Sequence, residues 1–467
     1  MNQLAEMVTY IPLSGQATVN ALVERYTGNK TFAFTAGINL FYTQTILVPS
    51  EISAASFVIQ YWNQSVNVAV WIAIFWASIV LLNLLSVKFF GEAEFWIGSI
   101  KILTATGLII LGVVLFFGGG PDQHGVLGFH YWKHPGPFAE HLASSHKNTA
   151  RFLDIWTSTI KAGFSFILSP ELIACAASEA EAPRVNLPKA TNRFIYRLMF
   201  FYFFGPLTIS VIIASNDSRL MGAIAAGSSG ASASPFVIGI QNAGIKVLDH
   251  IINAAILTSA YSAGNSFLYS GSRTLHSMAV KGEIPRVFGR CTKNGVPYVG
   301  VIAASLIALL SFMNVSSSSS QVFAWFSNLC TVSGFLSWIF ISITYIRFRK
   351  ALRYHGMEER VTFRPPLQII GAWSCIIFFT VISITNGYAV FFNFKVSDFL
   401  AAYLTLPIIL AVFLIHMVWH KNWKAFSFAP PQEIDCWTGL EESERQEREY
   451  IAPVAKNFLQ KIWFWIA

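Results

Sequence analysis

The sequence predicts an all-α polytopic membrane protein, and three observations carry that prediction. Of its 467 residues, 54% are hydrophobic and only 12% charged, with a mean hydropathy of +0.52; a soluble domain carries about 25% charged residues. Ten apolar runs are each long enough to cross a bilayer as a helix. Lysine and arginine gather in the segments that an alternating topology puts on one side of the membrane. A net charge of +8 would otherwise suggest a nucleic-acid partner. Because the charge is mostly this one-sided bias, nucleic acid is excluded and membrane lipid is the implied surroundings.

In chain order, residues 1–13 read as the tail of a span, and Ser14–Phe32, with Glu24, Arg25 and Lys30, as a short amphipathic helix. Spans follow near 33–61, 67–87, 95–117, 155–178, 195–214, 244–270, 298–314, 321–346, 367–387 and 399–419. With the N-terminal stub ending in the cytoplasm, three inner loops hold most basic residues: Arg184–Arg197, Arg273–Lys293 and Arg347–Arg364. The outer segments carry only Lys133, Lys147, Arg151, Arg219 and Lys395. Residues 1–420 therefore form a transmembrane domain and 421–467 a cytoplasmic tail, in which Glu441–Arg445 and Glu444–Arg448 have the i,i+4 spacing of a solvated helix. Five scattered cysteines contain no CxxC pair, so neither a disulfide framework nor a zinc site is indicated.

The fourth run, AGFSFILSPELIACAASEAEAPRVNLPKA (162–190), carries the densest chemistry. Pro170 has no N–H, so the carbonyl of Phe166 loses its helical donor, and Glu171 adds a carboxylate at the same depth. Such a charge costs about 2.5–3.5 kcal/mol at a bilayer centre. The pair reads either as a binding site between two half-helices or as a kink whose glutamate is paired. Lys101, about 9 Å into the third run at 1.5 Å per residue, either snorkels to the headgroups or turns its ammonium into the bundle as a proton carrier. Glu51, two residues after Pro49, repeats the proline–carboxylate pattern, with structural and functional readings equally open. Glu179 reads as an anchor for the basic loop, and the small and hydroxylated stretch SAYSAGNSFLYSGSR (259–273) as a close-packing face. HYWKH (His130, His134) and HMVWH (His416, His420) have metal-ligand spacing. They fall on opposite sides of the membrane, so they cannot share a cluster, and no GxSxG, P-loop or HExxH is present. An enzyme is not indicated.

The stretch FSFILSPELIACAASEAEAPRVNLPKA resembles the sixth-span signature of the fungal amino acid permeases, in the amino acid–polyamine–organocation superfamily. AEMVTYIPLSG, PSEISAASFVIQYW, GEAEFWIGSIKI, SNDSRL, SAGNSFLYSGSRTLHSMA and GEIPRVFGRCTKNGVPYVGV extend that resemblance from residue 4 to about 420. It implies two inverted five-helix repeats plus two further helices. It implies, too, secondary active uptake of an amino acid by proton symport, with no cofactor beyond the proton. The match places Phe166, Ile167, Leu168, Ser169, Pro170 and Glu171 at the substrate-binding break of the sixth span. Lys101 matches a fifth-span lysine that in some relatives stands where others hold sodium, and Glu51 joins it as a coupling candidate. AEMVTYIPLSG belongs to the end of a second span, so the first span is expected to be absent. A non-transporting sensor or a non-functional truncated permease are therefore the alternatives. The expected address is the plasma membrane; the particular amino acid and the oligomeric state stay open.

Overall fold

The computed structural model describes residues 1–11, 19–63, 65–85, 87–138, 142, 146–167, 171, 182–225, 234–316, 319–451 and 457–458. It is a helical bundle with no strand among the described residues. The principal helices are α1 (Asn2–Tyr10), α2 (Val19–Thr27), α3 (Lys30–Ile59), α4 (Val68–Leu84), α5 (Val87–Phe116), α6 (Lys147–Ala162) and α7 (Pro183–Ile212). They continue as α8 (Leu248–Val280), α9 (Tyr298–Ala308), α10 (Ser319–Tyr354), α11 (Gln368–Thr385), α12 (Val396–Tyr403), α13 (Thr405–Trp419) and α14 (Leu440–Glu449).

Five helices are long and apolar enough to cross a membrane by length and composition: Glu94–Phe116, Pro183–Ile212, Tyr298–Val315, Gln321–Tyr354 and Gln368–Phe391. The pair α12–α13, bent by 49°, makes a sixth. The remaining expected spans fall short for identifiable reasons. α6 has only 16 α-helical residues and α4 only 17. α3 and α8 are long but carry many polar residues, because protein rather than lipid surrounds them.

α3 is the axis of the bundle. It runs for 30 residues, is capped by Asn29, whose side chain accepts from the Phe32 N–H at 3.0 Å, and contains Pro49 without ending there. Its polar side chains meet partners on neighbouring helices. Asn39 donates to the Ser333 carbonyl and to Ser337 Oγ, each at 2.9 Å, fastening α3 to α10. Gln44 donates to Ser270 Oγ at 2.6 Å and accepts from Thr274 at 2.8 Å, fastening α3 to α8. Such interhelical bonds contribute about 0.6–2 kcal/mol each in an apolar surround.

The basic segments differ from the loops expected. Arg273 lies on α8, Arg347, Arg349 and Arg353 on α10, and Arg184 to Arg197 on α7. Charge ends burial in lipid but not the helix, since Lys and Arg are good helix formers. At this basic end the C-terminal segment is bound to the bundle. Arg25 pairs with Asp435 at 3.2 Å and donates to the Thr438 carbonyl at 2.6 Å. Tyr10 donates to the Cys436 carbonyl at 2.9 Å, and Arg347 reaches the Ala429 carbonyl. Buried Arg184 gathers three elements: Glu447 at 2.8 Å, the Tyr10 carbonyl at 2.7 Å and the Arg360 carbonyl at 3.1 Å. Within α14, Glu444–Arg448 pairs as its spacing predicts (3.6 Å), whereas Arg445 takes Glu442 at 2.6 Å and Glu449 at 4.0 Å in place of Glu441.

Candidate functional site

Two centres bring the chemistry-bearing residues together. The first is the break after α6. The α-helix ends at Ala162, a tight 3₁₀ turn covers Gly163–Phe166, and Ile167 is extended (φ −64°, ψ 149°). The helix thus yields ahead of Pro170. A Cβ at Gly163 would collide with the Phe335 ring of α10, and Ile167 packs onto Gly334, where any side chain would displace it. α7 closes the opening: Tyr202 donates to the Ser165 carbonyl at 2.5 Å, and its ring lies 4.4 Å from that of Phe166. An interrupted helix frees such carbonyls, and leaving one unpaired in hydrocarbon costs several kcal/mol. Glu171 is 2% exposed, and neither of its carboxylate oxygens has a hydrogen-bond partner among the described residues. Leu168, Ser169, Pro170 and Glu179 lie outside the described residues. A largely apolar cavity of 590 Å³ adjoins the break, lined in part by Thr159, Gly163, Phe166, Phe335 and Trp338.

The second centre lies between α3, α5 and α8. Lys101 does not snorkel: its Nζ donates to Ser262 Oγ on α8 at 2.9 Å. Ser262 in turn donates to Glu94 Oε2 at 2.6 Å, and Asn265 donates to Glu94 Oε1 at 3.2 Å. Asn83 of α4 completes the chain with a 2.8 Å bond to Asn265 Oδ1. A single hydroxyl therefore bridges an ammonium and a carboxylate. Glu51 approaches from α3, its stem opposite Gly264, where an added Cβ would stand 3.3 Å from that of Glu51. It lies close enough to Lys101 for the two charges to act on one another, and it accepts no hydrogen bond among the described residues. The two centres share α10, since Cys330 lies within electrostatic reach of Glu51 and Gly334, one turn on, seats Ile167.

Glu94, Ser262, Asn265 and Tyr202 were not singled out from the sequence. Glu94 had a usable signal: it stands seven residues before Lys101, two turns away on the same helix face. Ser262 and Asn265 sit in the small, hydroxylated stretch that reads as packing. Tyr202 has no local signal. The histidine pairs are helix neighbours, His130–His134 with ring centroids at 5.9 Å and His416–His420 at 4.3 Å. No group of three His, Cys, Asp or Glu able to hold a metal occurs among the described residues.

A bundle of apolar helices, with a connected set of half-buried charges between three of them, is the architecture of an integral membrane protein. The structure resembles a manganese transporter mutant of Eremococcus coleocola with a TM-score of 0.54 over 90% of this chain and 85% of that one, at 13% identity, a likeness of fold alone. The sequence pattern of the amino acid permease family matches residues 1–427, and the chain belongs to that family. It is 50% identical over 470 residues to a probable proline-specific permease of Schizosaccharomyces pombe, covering 100% of this chain and 84% of the relative. A proline-specific permease of Emericella nidulans is 48% identical over 469 residues, with the same coverage. A lysine-specific permease of Saccharomyces cerevisiae is 36% identical over 471 residues, covering 99% and 74%.

Proposed function

We propose that this chain carries a neutral amino acid, proline foremost, across the plasma membrane in symport with protons. The observation that carries the reading is the Lys101–Ser262–Glu94 bridge with Glu51 open beside it. A half-buried lysine among carboxylates can exchange a proton without exposing bare charge, and each state of charge holds α5 against α8 and α3 differently. The stretch Phe166–Glu171 is the proposed substrate site: carbonyls released where the helix gives way at Gly163–Ile167 would meet the substrate's ammonium. Proline is favoured because relatives named for it stand at 48–50% identity, against 36% for the one named for lysine. The reading includes two inverted five-helix repeats with two further helices, a transmembrane domain of residues 1–420, and a tail, 421–467, in the cytoplasm where the basic helix ends gather.

Uptake of radiolabelled proline, measured across an acid-to-neutral series of external pH in cells without their own proline carrier, tests the proposal. Uptake should rise with acidity and resist competition by lysine or aspartate. Lys101→Met should remove the pH dependence. Uptake that ignores pH, or a Lys101→Met protein with the parent's pH profile, overturns the coupling; preferential uptake of another amino acid overturns the substrate alone.

A further inference from the structure

At the basic end of the bundle, away from both centres, the start of α3 and the end of α13 enclose a second cavity of 870 Å³. Its wall is polar and built. Thr31, fully buried, accepts from Asn422 Nδ2 at 3.0 Å and bonds His416 Nδ1 at 3.1 Å. Lys281 is held by Glu24 at 3.2 Å and Glu283 at 3.8 Å, and Asn20 donates to Glu283 at 3.0 Å. Two further ammonium groups, on Lys30 and Lys421, line the same cavity and make no ion pair among the described residues. Lys30 opens α3, so the positive end of a 30-residue helix faces the same space.

The cavity continues beyond its polar wall. Phe34, Glu283, His416 and His420 also line a smaller groove of 270 Å³, otherwise walled by Ile38, Val412, Ile415 and Trp419. Ile415 and Trp419 are 63% and 81% exposed, and Trp423 and Phe426 follow at 68% and 73%. Tryptophans at the end of an apolar helix mark headgroup depth. A polar compartment with two ammonium groups outside any ion pair, and one positive charge in excess over its two carboxylates, thus opens sideways into an apolar groove along a helix with exposed apolar side chains. That is the shape of a headgroup joined to an acyl chain. Water-soluble anions would use only the first compartment.

We propose that this paired site binds an anionic phospholipid of the inner leaflet, its phosphate and carboxylate against Lys30 and Lys421, its amine toward Glu24 and Glu283, and one acyl chain along Ile38, Val412 and Ile415. Phosphatidylserine has that set of groups. The leaflet rests on the orientation proposed above; the binding does not. It is therefore measured in neutral detergent micelles, where neither orientation nor transport enters.

The experiment is native mass spectrometry of the purified chain titrated with dioleoylphosphatidylserine or dioleoylphosphatidylcholine. The parent should prefer phosphatidylserine by at least about tenfold, each lysine contributing about fivefold, as expected for a basic residue near anionic headgroups. Lys30→Gln with Lys421→Gln should abolish the preference, and the corresponding Lys→Arg pair should keep it. Both positions are exposed, so these variants fold as the parent does. Ile415→Ser with Val412→Ser should weaken the lipid and leave binding of soluble glycerophosphoserine unchanged. A parent without preference, or a Gln pair that keeps it, overturns the site. Glycerophosphoserine binding as tightly as the lipid overturns the lipid in favour of a soluble phosphate.

Discussion

Glu6 is fully buried on α1, bound by Arg349 Nη1 at 3.1 Å and by the Tyr345 hydroxyl at 2.5 Å, both from α10. Arg349 also reaches Glu358 at 3.2 Å and Gln368 at 3.1 Å. Glu6→Leu leaves a guanidinium and a phenol without their buried partner. Breaking such a pair from one side costs about 3–5 kcal/mol, and the contacts Arg349 keeps put this case near the lower value. Removing both charges, as in Glu6→Leu with Arg349→Met, takes away the uncompensated ion, so the double variant should be more stable than Glu6→Leu alone by about 2 kcal/mol. Unfolding entropy of roughly 2.1 cal/mol/K per residue converts 3 kcal/mol into a fall in Tm of at least about 3 °C for a chain of this size. Cys330 and Cys436 are buried and free, so a thiol-reactive fluorophore added during a thermal ramp reports the transition. Losses that add in the double variant, or a Glu6→Leu protein as stable as the parent, would refute the reasoning.

Three further outcomes follow from particular contacts. Burial opposes ionisation of Asp435, but the Thr438 and Trp437 N–H groups and the Arg25 charge outweigh it and hold its carboxyl below the usual range. A lowered pKa stabilises the docked tail above the free carboxylate's value and is lost as pH falls through the docked one, so docking should be undiminished at neutral pH and weaken only below about pH 4. Asp435→Asn should loosen it at neutral pH, read as maleimide labelling of buried Cys436 up to about fivefold faster, the range of a partly exposed ion pair. Tyr202→Phe orphans the Ser165 carbonyl and should cost about 1–3 kcal/mol in the same thermal assay. Ser262→Ala separates Lys101 from Glu94 and should reduce proton-dependent uptake by about tenfold or more, whereas Ser262→Thr should retain it; equal pH profiles for the two would sink the bridge.

Much of the fold was legible because it is local. An apolar run of about twenty residues in lipid has little choice but helix, and nine of the ten expected runs hold a helix, a helix continued as a 3₁₀ turn, or a bent pair near the expected limits. Of the tenth, 155–178, only the first part lies among the described residues, and there the helix ends at Ala162 and yields by Ile167. Helix ends are the least local feature. Arg273 and Arg347 mark where lipid stops, and α8 and α10 run on past them.

By itself the sequence determined the membrane class and the order of helices, since composition acts within a few residues. It also placed Lys101 and Glu51 on their helices. Only the tertiary structure decided that Lys101 turns inward to Ser262, that Glu94 closes the bridge, that Tyr202 takes the freed carbonyl and that the C-terminal segment is held by Arg25 and Arg184. Position along a helix is a property of the chain. Which way a side chain faces, and what meets it there, depends on how helices hundreds of residues apart in sequence rotate and pack together.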